Sequence, residues 1–158
     1  MEDMATKVMA SGTFDILHMG HVHYLKEAKK LGDHLTVVVA TDNTVRKLKH
    51  QPINPEHIRV QLISELKAVD KALLGSDTKD IYSILDEIKP DIIALGYDQI
   101  HQEETLKTEL KSRGHENIRI QRLGEYQAGN DLDGTRRIIQ KIIAAHDFQK
   151  KMEQIEGR

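Results

Sequence analysis

An open α/β sheet with right-handed crossovers is the fold this sequence predicts, and three observations predict it. Short runs rich in β-branched residues, such as Leu35–Ala40 (LTVVVA) and Ile92–Leu95 (IIAL), alternate with longer segments of helical period. Those runs are continuously apolar, as strands covered on both faces in a parallel sheet are. Turn residues close the first four of them: Gly12, then Thr41-Asp42-Asn43, then Gly75, then Gly96.

Each element follows in order. Lys7–Ser11 (KVMAS) is short and apolar and reads as the first strand. From about Met19 to Leu31, residues Val22, Leu25, Ala28 and Leu31 recur at a helical spacing, and Gly32-Asp33 ends that helix. Leu35–Ala40 is the second strand, with Thr41-Asp42-Asn43 as polar loop or cap. The basic stretch Arg46-Lys47-Leu48-Lys49-His50 leads into a loop marked by Pro52 and Pro55. Pro55-Glu56 suits a helix start, and that helix is expected to reach about Ala68 with Val60, Ile63 and Leu66 inward. Ala72–Leu74 is a short strand, Ile81–Ile88 a helix stopped by Pro90, and Ile92–Leu95 a buried strand. Glu103–Ser112 is a helix ended near Gly114, Ile118–Leu123 a strand, and Thr135 to about His146 the last helix. Residues 1–146 are expected to form a single domain and residues 147–158 a C-terminal helical tail. The closing IEGR matches a factor Xa cleavage site and is given no functional weight.

The chain has 158 residues, enough to bury a core without staples. Hydrophobic residues make up 39% and charged residues 30%, a soluble globular composition. A net charge of −2 argues against a global attraction to nucleic acid or to a membrane surface. An anionic ligand must therefore be held by a local cationic site. There is no cysteine, which excludes disulfides, thiolate catalysis and cysteine-type zinc sites. No apolar run reaches the eighteen or so residues of a membrane helix, and the N-terminus lacks a signal-type stretch, so a cytoplasmic protein is the default expectation.

In open α/β sheets ligands bind beyond the carboxyl ends of the strands. The stretch GTFDILHMGH, Gly12–His21, falls there, where the first strand gives way to a helix. His18 and His21 share a helical face. A helix start also offers free backbone N–H groups and the positive end of its dipole. Gly12 and Gly20 leave room for a ligand to approach the backbone. Three readings stay open on these residues alone. The histidines are satisfied surface or capping groups; or they ligate a metal with His23; or they hold phosphate oxygens for transfer chemistry. His23 lies roughly 140° around the helix from His18, so a metal site lacks a convergent third ligand.

Gly12-Thr13-Phe14-Asp15 followed by His18-Met19-Gly20-His21 resembles the paired signature of the HxGH nucleotidyltransferases, the cytidylyltransferase-like and adenylyltransferase proteins. Within that family, HYLKEAKKLGDHLTVVVATD and DGTRRII are similar to archaeal FAD synthases. The resemblance implies a Rossmann-like open parallel sheet and transfer of AMP from ATP to FMN, giving FAD and pyrophosphate. It also implies Mg²⁺ with the nucleotide and a homodimer. It names no protein ligand for the metal, although Asp15 is a candidate outer partner. His18, His21, Lys49 and Arg59 are the expected catalytic residues. Gly12, Thr13, Phe14, Gly20, Asp98, Arg122, Tyr126 and Thr135 are expected to bind nucleotide. Tyr126 is chosen because a flat ring needs a flat apolar partner. Arg59 is chosen because a cation in a helix's first turn opposes the dipole, which argues for a ligand. Thr135 alone keeps the hydroxyl where the family has a serine/threonine cluster, and Asp131 and Asp133 are read as caps. The alternatives are a CTP-dependent enzyme acting on glycerol 3-phosphate or a similar monoester, and a non-catalytic nucleotide-binding module.

Overall fold

A computed structural model describes residues 4–48, 50–77, 81–126 and 134–157, without the side chains of residues 81, 100 and 101. Five strands form one parallel sheet: β1 (Lys7–Gly12), β2 (His34–Val39), β3 (Lys71–Leu74), β4 (Ile92–Leu95) and β5 (Arg119–Arg122). Their spatial order is β3-β2-β1-β4-β5, so the winding direction reverses between β1 and β4. The helices are α1 (Met19–Lys29), α2 (Asp42–Leu48), α3 (Glu56–Ser64), α4 (Ile84–Ile88), α5 (Ile100–Ser112) and α6 (Thr135–Glu156), with a 3₁₀ turn at Ile81–Ser83.

Two apolar layers sandwich the sheet. On one face Leu25 and Ala28 of α1 and Ile63 of α3 pack with Val8, Ala10, Leu35, Val37, Val39, Ile92 and Ala94. On the other, Leu85 of α4 with Leu106 and Leu110 of α5 cover Met9, Val38, Ile93 and Leu95. Period-2 alternation within each strand sends successive side chains to opposite layers, which is why the strands are apolar throughout.

The amino edge of the sheet is stapled by three aspartates, each sitting just before a strand. Asp33 Oδ2 accepts the N–H of Thr6 at 2.7 Å, Asp70 Oδ2 that of Leu35 at 2.7 Å, and Asp91 Oδ2 that of Lys7 at 2.8 Å. Each carboxylate thus satisfies a backbone donor that the ladder leaves over.

Several boundaries differ from expectation. Residues 42–48, read as loop, form α2, because Thr41 caps it. The Thr41 hydroxyl accepts the N–H of Thr44 at 3.2 Å, its carbonyl accepts that of Val45 at 3.0 Å, and Val45 is buried. α3 stops at Ser64, short of Ala68, and the chain turns so that Leu66 and Val69 still reach the core. α5 starts at Ile100, ahead of Glu103. α6 runs through residue 146 to Glu156 without a break and has no buried residue.

Candidate nucleotide site at the sheet switch point

Between β1 and β4 the ladder contains only Val8↔Ile92 and Met9↔Ile93. Beyond it the strands are bridged by a side chain. The Tyr24 hydroxyl donates to the Ala94 carbonyl at 2.7 Å and accepts the Ser11 N–H at 3.4 Å. Burial, with a smaller push from Asp98, raises the phenol far above its ordinary range, so it stays a neutral donor. Beyond this bridge lies the switch-point crevice in which ligands of such sheets sit as a rule.

The segment leaving β1 is tightly folded. Phe14 adopts φ 54°, a left-handed conformation that a bulky residue enters only when its surroundings fix it. Its ring is buried (3% exposed), stacks on Tyr24 at 6.5 Å and meets the His21 ring edge-on at 5.3 Å. Gly12 makes room for that ring, because a Cβ there would lie 2.9 Å from Phe14 Cζ. Both residues are expected from the sequence to meet the nucleotide; the structure gives each a packing role as well. Gly12 accommodates the buried Phe14 ring.

His18 is the N-cap of α1, in extended conformation, and its carbonyl accepts the Val22 N–H at 3.2 Å. The N–H groups of Met19, Gly20 and His21 therefore lie in the first turn, which has no acidic residue. The His18 and His21 rings stack with centroids 3.7 Å apart at 27°. A second helix start meets the same segment. Gly134 is the N-cap of α6, and the Thr135 hydroxyl donates to the Ile16 carbonyl at 3.2 Å. α6 likewise has no acid in its first turn, which carries Arg136 and Arg137. Two helix dipoles thus present their positive ends around residues 12–21, a setting suited to phosphate oxygens.

Arg59 is fully buried (0% exposed), not turned toward this crevice. Its Nε donates to the Asn54 carbonyl at 2.9 Å, and its Nη1 to those of Thr13 and Ala40 at 2.8 and 2.7 Å. Its Nη2 pairs with Asp42 at 2.7 Å. The phosphate contact expected for Arg59 is corrected, since four of its five N–H donors are spent on protein acceptors. Asp15 is equally committed. Its two carboxylate oxygens accept the N–H groups of Ile53 and Asn54 at 2.8 Å each, and its carbonyl accepts Asn54 Nδ2 at 2.8 Å. Asp15 and Arg59 together moor loop 50–55 to the end of β1. Asp42 feels burial raising its carboxyl, but Arg59 and the other hydrogen bonds outweigh this and hold it below the ordinary range.

The remaining expected residues are spread along the carboxyl edge. Thr13 is half-buried, its carbonyl under Arg59. Asp98 lies in the turn after β4, where the Gln99 side chain accepts the Gly96 N–H at 2.7 Å. Tyr126 packs on His23, ring centroids 5.1 Å apart, which places it against α1. Arg122, at the end of the edge strand β5, pairs with Glu103 at 3.2 Å. Lys47 is exposed on α2. Lys49, Asp131 and Asp133 lie outside the described residues. Sequence reasoning missed Tyr24, Asn54 and Gln99 as shapers of the site. Tyr24 and Asn54 meet backbone groups seventy and thirty-nine residues away, which no local pattern announces; Gln99 meets the nearby Gly96 N–H.

The parallel sheet, the switch-point crevice and the paired helix starts define an α/β nucleotide-handling protein. The cytidylyltransferase-like family matches residues 9–152, and the chain belongs to that family. It is 50% identical over 137 residues to the FAD synthase of Aciduliprofundum boonei, covering 87% of this chain and 90% of the relative. It is 46% identical over 156 residues to the FAD synthase of Ferroglobus placidus, covering 94% and 99%. Among solved structures it is similar to one described as a lipopolysaccharide core biosynthesis protein from Thermoplasma volcanium. That match has a TM-score of 0.74 and 50% identity over 78% of this chain and 100% of the other.

Proposed function

We propose that this chain is an FMN adenylyltransferase, converting FMN and ATP to FAD and pyrophosphate. The carrying observation is the 46–50% identity to FAD synthases over most of both chains, and the stacked His18/His21 pair at the start of α1 is what supports the chemistry locally. An FMN phosphate oxygen attacks the α-phosphorus of ATP. The new P–O bond forms as the bond to the β-phosphate oxygen breaks, and pyrophosphate leaves with that electron pair. A phosphate monoester has its second pKa near 6, so the nucleophile is already an anion and needs no general base. The protein must align the attack and stabilise the charge that develops on the α-phosphoryl group and the leaving group.

In this reading His18 and His21 contact the triphosphate beside the α1 N–H groups, with Gly20 between them. Thr135, Arg136 and the α6 start receive the leaving pyrophosphate. Lys49 is the cation expected to meet the triphosphate. Thr13 and Asp98 flank the nucleotide, while Tyr126 and Arg122 line the side toward the flavin. Arg59, Asp15 and Phe14 position the others. Mg²⁺ enters as the ATP complex. Each Asp15 carboxylate oxygen already accepts one backbone N–H, and among the described residues no group of three or more His, Asp or Glu side chains is placed to hold an ion. Mg²⁺ bound with a nucleotide would be held by phosphate oxygens and water. Among the described residues no helix is long and apolar enough to cross a membrane. A cytoplasmic homodimer completes the reading; the exposed Ile142, Ile143, Phe148 and Ile155 of α6 offer apolar surface for a second copy.

The test is pyrophosphate release from ATP or CTP paired with FMN, glycerol 3-phosphate and related monoesters. Release with ATP and FMN is expected. Release confined to CTP and glycerol 3-phosphate overturns the substrate choice, and no release with any pair makes the chain a binding module.

A further inference from the structure

We infer that Tyr24 is a positioning residue, its hydroxyl wedging β1 and β4 apart so that the imidazole pair faces the crevice at a fixed distance from the β4 turn. This rests on the adenylyl-transfer reading for its readout, but not for its geometry. The parallel ladder stops at Met9↔Ile93. One step further, the Ser11 N–H and the Ala94 carbonyl both turn to the phenol instead of to each other. A side-chain oxygen therefore stands between the strands at the switch point, where a direct ladder bond would draw them together.

The same residue reaches the imidazoles through its ring. Tyr24 stacks on Phe14, Phe14 meets His21 edge-on, and His21 stacks on His18. Phe14 is strained at φ 54° and needs a rigid floor. Tyr24 supplies that floor from the second turn of α1, the helix whose start carries both histidines. One side chain thus sets both the opening between the strands and the tilt of the rings. Its hydrogen bonds go to Ser11 and Ala94 and its ring packs on Phe14, so its effect on the reaction is through placement.

The experiment compares Tyr24→Phe with the wild type. This substitution keeps the ring and removes only the wedge. It is run on whichever nucleotide and monoester pair the wild type turns over, so a wrong substrate choice does not obscure the result. The expected outcome is a kcat lower by about ten- to hundredfold, as for a displacement on the order of 1 Å, with the KM for nucleotide within about threefold. A kcat within about twofold of wild type overturns the proposal, as does a KM rise that accounts for the whole loss. A second readout needs neither turnover nor a folded variant. In the wild type the Tyr24 hydroxyl proton should be visible by NMR as slowly exchanging, with a cross-peak to the Ala94 α-proton. A hydroxyl in fast exchange with water overturns the bridge.

Discussion

Arg59 and Asp42 form a 2.7 Å ion pair in which the guanidinium has no exposed surface. The pair locks the start of α2 to α3, and the same guanidinium holds the carbonyls that follow β1 and β2. Removing it leaves a carboxylate and three carbonyls without their donor. Arg59→Ala should therefore cost about 3–5 kcal/mol in a urea melt. Arg59→Lys should recover only part of this, because an ammonium cannot span the same fork. A stable Arg59→Ala protein that has lost only nucleotide affinity would return Arg59 to the phosphates.

Gly12 and Phe14 are coupled by shape. Gly12→Ala brings a methyl group to 2.9 Å from a buried ring that cannot swing away. Overpacking of this kind costs about 1–3 kcal/mol. Thermal melts should show that loss, and adding Phe14→Leu should reduce the cost of the alanine. Independent, additive effects would separate the two residues.

Two carboxylates, Asp70 and Asp42, predict acid sensitivity. Burial raises the Asp70 carboxyl, but the Lys29 ammonium at 2.5 Å and the Leu35 N–H outweigh it and leave it depressed. Asp42 is depressed as well. A carboxyl lowered by folding binds its proton more readily in the unfolded chain, so stability is full above the unfolded value of about 4 and falls as pH drops through the folded one. Urea unfolding from pH 7 to pH 3 should show this decline, with a shallower slope in Asp70→Asn. An unchanged slope would remove Asp70 from the account.

Thr135 joins α6 to the loop after β1 through the Ile16 carbonyl. Thr135→Val should lower turnover about three- to tenfold, the worth of one net hydrogen bond, and Thr135→Ser should restore it. Steady-state kinetics decides this; equal rates for all three would detach the hydroxyl from the site.

Much of the fold was legible because strand and helix periods are local. The runs 35–40 and 92–95 and the spacing of Leu25 and Ala28 needed no tertiary knowledge to place. The staples were legible in principle, since Asp33, Asp70 and Asp91 each stand one residue before a strand. The helix at 42–48 was hidden by its basic surface, because Val45 is its single buried residue. Arg59 was misread because local reasoning saw a cation opposing a dipole. Its acceptors come from residues 13, 40, 42 and 54, and folding alone gathers them. The placement of the histidine pair at a helix start was legible because that start is adjacent in sequence.

Product analysis by chromatography tests the central claim most directly. Purified protein with MgATP and FMN should yield FAD and pyrophosphate in equal amounts. His21→Ala, folded and with an unchanged melt, should form FAD about 10²–10³-fold more slowly, the usual loss for one donor aimed at developing charge. FAD formation by His21→Ala at the wild-type rate would contradict the account.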